Sequence, residues 1–291
     1  MAALTIAGVN VTHPEREVFG AGGPTKGEVA AYYERVAPWM LPELARRPLS
    51  LVRCPGGLGS ACFFQKHHAD TLGRHVKPVA LEEKGGDEAH YIYVEDVAGV
   101  IELVQMNTLE FHPWGSHVDD PDKPDRLIFD LDPAKDVPWK DIVAAAREIR
   151  ERLKDVGLES FVRTSGGKGL HVVAPFRRGP SWDAAKAFCE GIADAMVADA
   201  PKRYIAQASK AKREGLIFID WLRNTRGATS VTGWSLRARE GAPVAMPVRW
   251  EEIARLKTGA AFDMKKALKR AKTLEADPWA GIGSLVQSLP K

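Results

Sequence analysis

At 291 residues the chain is long enough to bury a full core, either as one large domain or as two small lobes. Its 45% hydrophobic and 27% charged residues are ordinary for a globular protein, and no apolar run reaches the length a membrane span needs. The 41 basic residues nearly balance 38 acidic ones, leaving +3, so total charge excludes little and the placement of charge carries the information.

Met1–Asn10 has no basic start followed by an apolar core, so no secretory signal is expected, and the default location is cytoplasmic. Cys54, Cys62 and Cys189 contain no pair at CxxC spacing. A structural zinc site is therefore not expected, and all three are read as reduced and mostly buried.

The first element is signalled by Thr25-Lys26-Gly27-Glu28, a capping-box pattern. A helix follows through Tyr32, Tyr33 and Val36, and Pro38 should kink or end it. Leu49–Arg53, Cys62–Lys66 and His90–Val94 read as strands, Val97–Met106 as a short helix and Thr108–His112 as a further strand. Asp119–Asp125 is polar and proline-rich and is the best candidate for a boundary, separating a lobe over 1–118 from a lobe over 119–291.

A β-α-β pattern lies beyond that boundary. Arg126–Asp132 is a strand. Trp139–Val156 is a helix carrying Ile142, Val143, Ala146, Ile149 and Leu153 on one face, and Gly157 closes it. Phe161–Thr164 and His171–Pro175 are strands flanking a glycine-rich loop. Ser181 caps a helix running to about Ala198. Leu216–Trp221 is a buried strand, Thr229–Ala238 a further strand, and the tail from about Trp250 is helical. The class is α+β, with helices packed on sheets.

Asp130 and Asp132 sit two apart on a strand, so both side chains leave the same face, roughly 7 Å apart. Like charges this close call for a cation between them or a proton on one of them. Oxygen ligands suit Mg²⁺ or Mn²⁺, whereas the bland reading makes Asp132 a turn cap before Pro133 and leaves Asp130 merely exposed. Asp220 ends a buried strand and needs either a metal or a salt bridge to Arg223 or Arg226.

Ser165-Gly166-Gly167-Lys168-Gly169-Leu170-His171 has neither the spacing of a Walker A loop nor a helix after it. Its glycines can still turn backbone N–H groups towards phosphate, with Ser165 and Lys168 adding a hydroxyl and a positive charge and His171 a further donor. The plain alternative is a glycine-rich hairpin with a solvated lysine. Taken together, the loop and the three aspartates point to metal-dependent nucleotide chemistry.

Lys202, Arg203, Lys210, Lys212 and Arg213 form a basic run suited to a nucleic-acid backbone or simply to solvent. Phe63 and Phe64 are adjacent on a strand, so one can be core and the other exposed for base stacking. Arg237 and Arg239 share a face of the strand expected over Thr229–Ala238, and Arg237 can reach outer phosphates. His112 is either a ribose contact or a buried core histidine.

Asp130-Leu131-Asp132, the Ser165–His171 loop and Phe218-Ile219-Asp220 resemble the three motifs of the archaeo-eukaryotic primase superfamily. Phe63-Phe64-Gln65-Lys66-His67, Glu110-Phe111-His112 and Arg223–Ala228 are similar to its bacterial ligase D polymerase branch, which serves non-homologous end joining. The resemblance spans His13 to about Trp279. It implies an archaeo-eukaryotic primase-like fold of two sheets with packed helices, with a catalytic RRM-like lobe and an N-terminal lobe.

It also implies roles for individual residues. Asp130, Asp132 and Asp220 would bind two divalent ions, Mn²⁺ or Mg²⁺. Ser165, Lys168, His171, Arg223 and Arg237 would hold the phosphates of an incoming NTP or dNTP, Phe64 would stack on its base, and His112 would lie near its ribose. His13, Arg16 and Lys26 would form the pocket for the 5′-phosphate of DNA with gaps, overhangs or breaks. Arg53, Phe63, Lys66 and Arg213 would help hold that DNA. The implied activity is template-dependent extension of a primer 3′-end, with ribonucleotides preferred, and the implied partners are Ku and a ligase. Rival readings of the same residues are a stand-alone primase-polymerase, a metal-dependent nuclease and a non-catalytic module that bridges broken ends.

Overall fold

A computed structural model describes residues 4–83, 85–209 and 213–290. Lys210 and Lys212 of the basic run lie outside the described residues. The chain divides into two compact units. The first comprises 1–121, 231–245 and 262–275, and the second comprises 122–230, 246–261 and 276–291. The first crossing falls inside the Asp119–Asp125 segment. By contrast, 231–245 and 262–275, read from sequence as part of the second lobe, return to the first unit. Side-chain hydroxyls hold the former segment there: Tyr32 donates to Trp234 O at 2.8 Å, and Tyr33 accepts from Leu236 N at 3.0 Å.

The first unit opens with a hairpin of β1 (Leu4–Ile6) and β2 (Val9–Val11), turned by Ala7 and Gly8, both at positive φ. α1 (Lys26–Leu44) starts at the expected capping box, with Thr25 and Glu28 bonded reciprocally at 3.2 and 2.8 Å. It does not end at Pro38 but runs through Pro38 and Pro42 to Leu44. One continuous face (Val29, Tyr33, Val36, Ala37, Met40, Leu44) is buried, and that packing outweighs the bonds the prolines remove.

A five-stranded sheet contains β3 (Leu49–Arg53), β4 (Phe63–Gln65), β5 (Lys77–Glu82), β6 (Glu88–Tyr93) and β7 (Thr108–Pro113). Its order is β4-β3-β6-β5, with β7 also paired to β3. α2 (Val97–Gln105), capped by Asp96, precedes β7, and α5 (Met264–Thr273) packs on α1.

The second unit is a six-stranded sheet of β8 (Arg126–Pro133), β9 (Phe161–Thr164), β10 (Leu170–Pro175), β11 (Tyr204–Ile205), β12 (Ile217–Asp220) and β13 (Pro247–Val248). Its order is β11-β12-β8-β10-β9-β13. With α3 (Trp139–Asp155) and α4 (Trp182–Asp199), the central strands β12-β8-β10-β9 run fourth, first, third, second, the split β-α-β arrangement of an RRM-like domain. Leu127, Phe129, Leu131, Val172 and Ala174 face the helices, where Ile142, Ala146, Ile149, Ala185 and Cys189 are buried. The opposite face carries the polar residues of the motifs.

Three more sequence expectations fail. Thr229–Ala238 forms no strand; it makes an isolated bridge at Leu236, and Trp234 sits at φ 65°. The tail is irregular apart from α5 and short 3-10 turns at Ile253–Arg255 and Ile282–Ser284. The cysteines are not all reduced: Cys54 and Cys62, with Cα atoms 4.3 Å apart, form a disulfide, while Cys189 is free and buried. The antiparallel return of β4 onto β3 brings the first two together. No helix among the described residues is long and apolar enough to cross a membrane.

Candidate active site and nucleic-acid-binding residues

In the second unit, β12 and β8 pair antiparallel with Asp220 opposite Asp130 and Phe218 opposite Asp132. Directly paired residues share a face, so Asp130, Asp132 and Asp220 leave the sheet on one side. β10 adds His171 opposite Asp130, and β9 adds Arg163 opposite His171.

Each carboxylate is turned onto a cation. Asp132 pairs with Arg213 at 2.9 Å, Asp220 with Arg223 at 2.9 Å, and Asp130 with Arg223 at 3.5 Å and His171 at 3.4 Å. The salt bridge from Asp220 to Arg223 was one of the sequence alternatives. Arg226, the other, pairs with Asp122 instead. Burial pushes the Asp220 carboxyl above its usual range; Arg223 pulls it back, and the charge of Asp130 adds to the rise. In these rotamers no three His, Cys, Asp or Glu residues stand close enough to hold an ion, among the described residues. The donor type does fit a hard divalent cation: three carboxylates on one face, drawn from adjacent strands.

A second layer, not legible from motifs, orients this face. Arg163 is fully buried; its Nε donates to His171 Nδ1 at 3.1 Å and its Nη2 to Ser230 Oγ at 3.0 Å. An accepting Nδ1 leaves the His171 proton on Nε2, the nitrogen that faces Asp130. Asn224 Oδ1 accepts from Ile128 N and its Nδ2 donates to Ile128 O, each at 2.8 Å, where β12 has ended. It thereby anchors the turn Leu222–Asn224 that carries Arg223. The sequence signal for Arg163 was its place in the middle of a strand beside His171.

The glycine loop is built differently from expectation. Ser165 Oγ accepts from Gly167 N at 3.2 Å and Gly169 N at 3.1 Å, so these amides brace the loop and do not point outwards. A Cβ on Gly169 would lie 1.7 Å from Leu131 O, which explains the glycine. Gly259 covers the loop as closely, because a Cβ there would meet Gly169 O at 2.4 Å. Lys168 is exposed.

In the first unit, His112 is buried and shares a hydrogen bond of 2.8 Å with Glu110. Arg237 donates to the same carboxylate at 2.9 Å and Ala238 N at 2.7 Å, so Arg237 is held by Glu110. Burial opposes ionisation of Glu110, but His112, Arg237 and Ala238 N outweigh it and hold its pKa down at about 2. Phe63 and Phe64 are both exposed, at 46% and 71%, because neither face of the short strand β4 is covered. Phe64 lies edge-on to His112 at 6.0 Å, and the Arg53 guanidinium sits 5.5 Å from the Phe63 ring. Lys66 is paired with Glu83 at 2.5 Å and hydrogen-bonded to Tyr91.

His13 is a positive-φ residue whose carbonyl accepts from Arg16 N at 3.1 Å. Lys26 N in turn donates to Arg16 O at 2.8 Å, drawing the His13–Arg16 segment to the start of α1. Burial, aided by the charge of Arg16, lowers the Lys26 pKa to about 8.

The profile of the family described as "LigD, primase-polymerase domain" matches residues 25–279. The multifunctional non-homologous end joining protein LigD of Pseudomonas aeruginosa is 36% identical over 286 residues, 97% of this chain and 34% of that protein. LigD of Mycolicibacterium smegmatis is 32% identical over 248 residues, 84% of this chain and 32% of that protein. The chain thus spans about a third of the length of the curated relatives it matches. Among solved structures, the polymerase domain of Mycobacterium tuberculosis ligase D, in complex with DNA, superposes with a TM-score of 0.88 at 26% identity. That match covers 96% of this chain and 99% of that one.

Proposed function

This chain belongs to the LigD primase-polymerase domain family, an α+β family of nucleotidyl transferases, and from that membership we propose that it extends a primer 3′-end at DNA gaps or breaks under template direction. The observation that carries the reading is the shared face of Asp130, Asp132 and Asp220, with His171 and Arg223 bonded to the same carboxylates.

Asp130, Asp132 and Asp220 would hold divalent cations, two of Mn²⁺ or Mg²⁺. Divalent ions held by these carboxylates would supply Lewis-acid activation of the primer hydroxyl and charge neutralisation at the departing pyrophosphate. Arg213 and Arg223 neutralise the carboxylates beforehand; once released, their planar forks suit phosphate oxygens. His171 offers its Nε2 proton to a phosphate oxygen, and Lys168 adds a mobile positive charge. Positioning and charge neutralisation account for most of the rate.

Ribonucleotide preference, base stacking by Phe64 and ribose contact by His112 belong to the same proposal. So does a 5′-phosphate pocket of His13, Arg16 and Lys26, with Arg53, Phe63 and Lys66 along the DNA. The setting is non-homologous end joining in a bacterial cytoplasm, beside Ku and a ligase activity. The decisive experiment is nucleotide incorporation on a 5′-phosphorylated gapped duplex with Mg²⁺ or Mn²⁺. Wild type should extend the primer, and the Asp130→Ala/Asp132→Ala double variant should bind DNA without extending it. Retained extension by the double variant rejects the reading.

A further inference from the structure

Cys54 follows the last residue of β3 and Cys62 precedes the first of β4, so the Cys54–Cys62 bond closes the loop between these strands at its base. The enclosed segment contains Gly56, Gly57 and Gly59, with Gly57 at φ 78°. Without the bond so glycine-rich a loop has wide conformational freedom. In its closed form it is docked on the His13–Val18 region: Leu58 N donates to Val18 O at 2.9 Å, and the Arg16 guanidinium donates to Pro55 O. The two sulfur-bearing residues also differ in access, since Cys54 is fully buried and Cys62 is exposed.

We infer that Cys54–Cys62 is an exchangeable thiol–disulfide site, opened at Cys62 by a small thiol or dithiol, and that its redox state sets how firmly the loop holds Arg16. An external thiolate attacks Cys62 Sγ; the bond to Cys54 breaks, and the electron pair leaves with Cys54 Sγ, which takes a proton from solvent. A second external thiolate attacks the external sulfur of the mixed disulfide and releases Cys62, which is protonated in turn. One protein disulfide and two external thiols thus become two protein thiols and one external disulfide. In a reducing compartment the open form prevails, and oxidising conditions close it. The functional consequence rests on the 5′-phosphate role proposed above for Arg16: the closed loop pre-positions the guanidinium and the open loop does not.

The test uses the whole chain. Iodoacetamide trapping with intact-mass measurement, before and after dithiothreitol under native conditions, should show no alkylation before reduction and alkylation at the exposed Cys62 after it, with Cys189 shielded by burial. Binding to gapped duplexes with and without a 5′-phosphate is then measured in both redox states, for wild type and Cys62→Ser. Reduction should weaken binding of the phosphorylated duplex about fivefold. It should leave the unphosphorylated duplex nearly unaffected, and Cys62→Ser should bind like reduced wild type in both states. Absence of new thiols on reduction, equal affinities in the two states, or a Cys62→Ser variant that still responds to dithiothreitol would each overturn the inference. Oxidised protein that does not distinguish the two duplexes would remove the 5′-phosphate reading and the coupling with it, and the alkylation count would still decide whether the bond exchanges.

Discussion

Asp130 on β8 and Asp220 on β12 are direct cross-strand partners, and the guanidinium of Arg223 touches both, at 3.5 and 2.9 Å. Burial chiefly raises the Asp220 pKa and repulsion from Asp130 adds to it, against the pull of Arg223, so ionising this carboxylate costs free energy in the folded chain.

That cost predicts a separation of stability from activity. Folding raises the Asp220 pKa, so its ionised form opposes folding at neutral pH. Asp220→Asn keeps the oxygen that accepts from Leu222 N at 3.1 Å and removes the charge. The variant should melt no lower than wild type without divalent ions, and the rise in Tm expected of wild type with Mn²⁺ should be lost. Its incorporation rate should fall on the order of a hundredfold or more. Thermal melts with and without Mn²⁺, beside single-nucleotide incorporation, check this; a variant that melts well below wild type without metal would contradict it.

Arg163 acts at one remove, through His171. Arg163→Met leaves His171 Nδ1 with Ser230 Oγ, 3.1 Å away, as its neighbour. The tautomer is then no longer held by a permanent donor. Nucleotide KM should rise about tenfold, a cost of the size of one charged hydrogen bond. Nitrogen NMR of the His171 ring should show the tautomers mixing. An unchanged ring spectrum would remove this role.

Lys26 supplies a pH signature. Its pKa of about 8 means the charge a 5′-phosphate needs is present below pH 8 and lost as pH rises through that value. Because folding lowers this pKa, the charged form also costs stability below pH 8, and the cost fades as pH approaches the ordinary lysine range. Preference for phosphorylated over unphosphorylated gapped DNA should therefore fall several-fold between pH 7 and 9, and Lys26→Met should flatten the profile. Affinity ratios measured by fluorescence anisotropy across that range provide the check.

Glu110 contributes with the opposite sign. Folding lowers its pKa from 4.5 to about 2, so ionised Glu110 favours the native state above pH 4.5 and loses that advantage as pH falls towards 2. The shift corresponds to roughly 3 kcal/mol. Glu110→Gln strands Arg237 and His112 and should lose roughly 3 kcal/mol or more at pH 7. Its stability should then vary less than that of wild type between pH 6 and 3, as read by urea unfolding at each pH.

Local signals in the sequence carried much of the architecture. The capping box at Thr25 and Glu28, the apolar face of α3 and the alternation in β8 are short-range patterns, and each is realised. Expectations failed where long-range packing decided the outcome. Of the two outcomes expected at Pro38, a kink or an end, the end does not occur, because the buried face of α1 continues to Leu44. The 229–238 segment forms no strand, because its backbone meets 243–245 only around a single bridge, from Trp234 N on Ala245 O to Arg237 N on Pro243 O, while Tyr32, Tyr33 and Glu43 take other backbone groups. Nothing local marked Cys54 and Cys62 as partners, since only the return of β4 onto β3 brings them together.

The sequence by itself determined which chemistry is available: three aspartates at strand positions, a glycine loop with Ser165, Lys168 and His171, and arginines nearby. Alternation along one strand put Asp130 and Asp132 on one face, because that rule needs only the pleat. The tertiary structure alone decided that Asp220 joins them, that Arg223 bridges the pair, that Ser165 spends its oxygen on its own loop and that Arg163 sets the His171 tautomer. Each of these depends on register between strands distant in the chain, and register is set by the packing of the whole sheet.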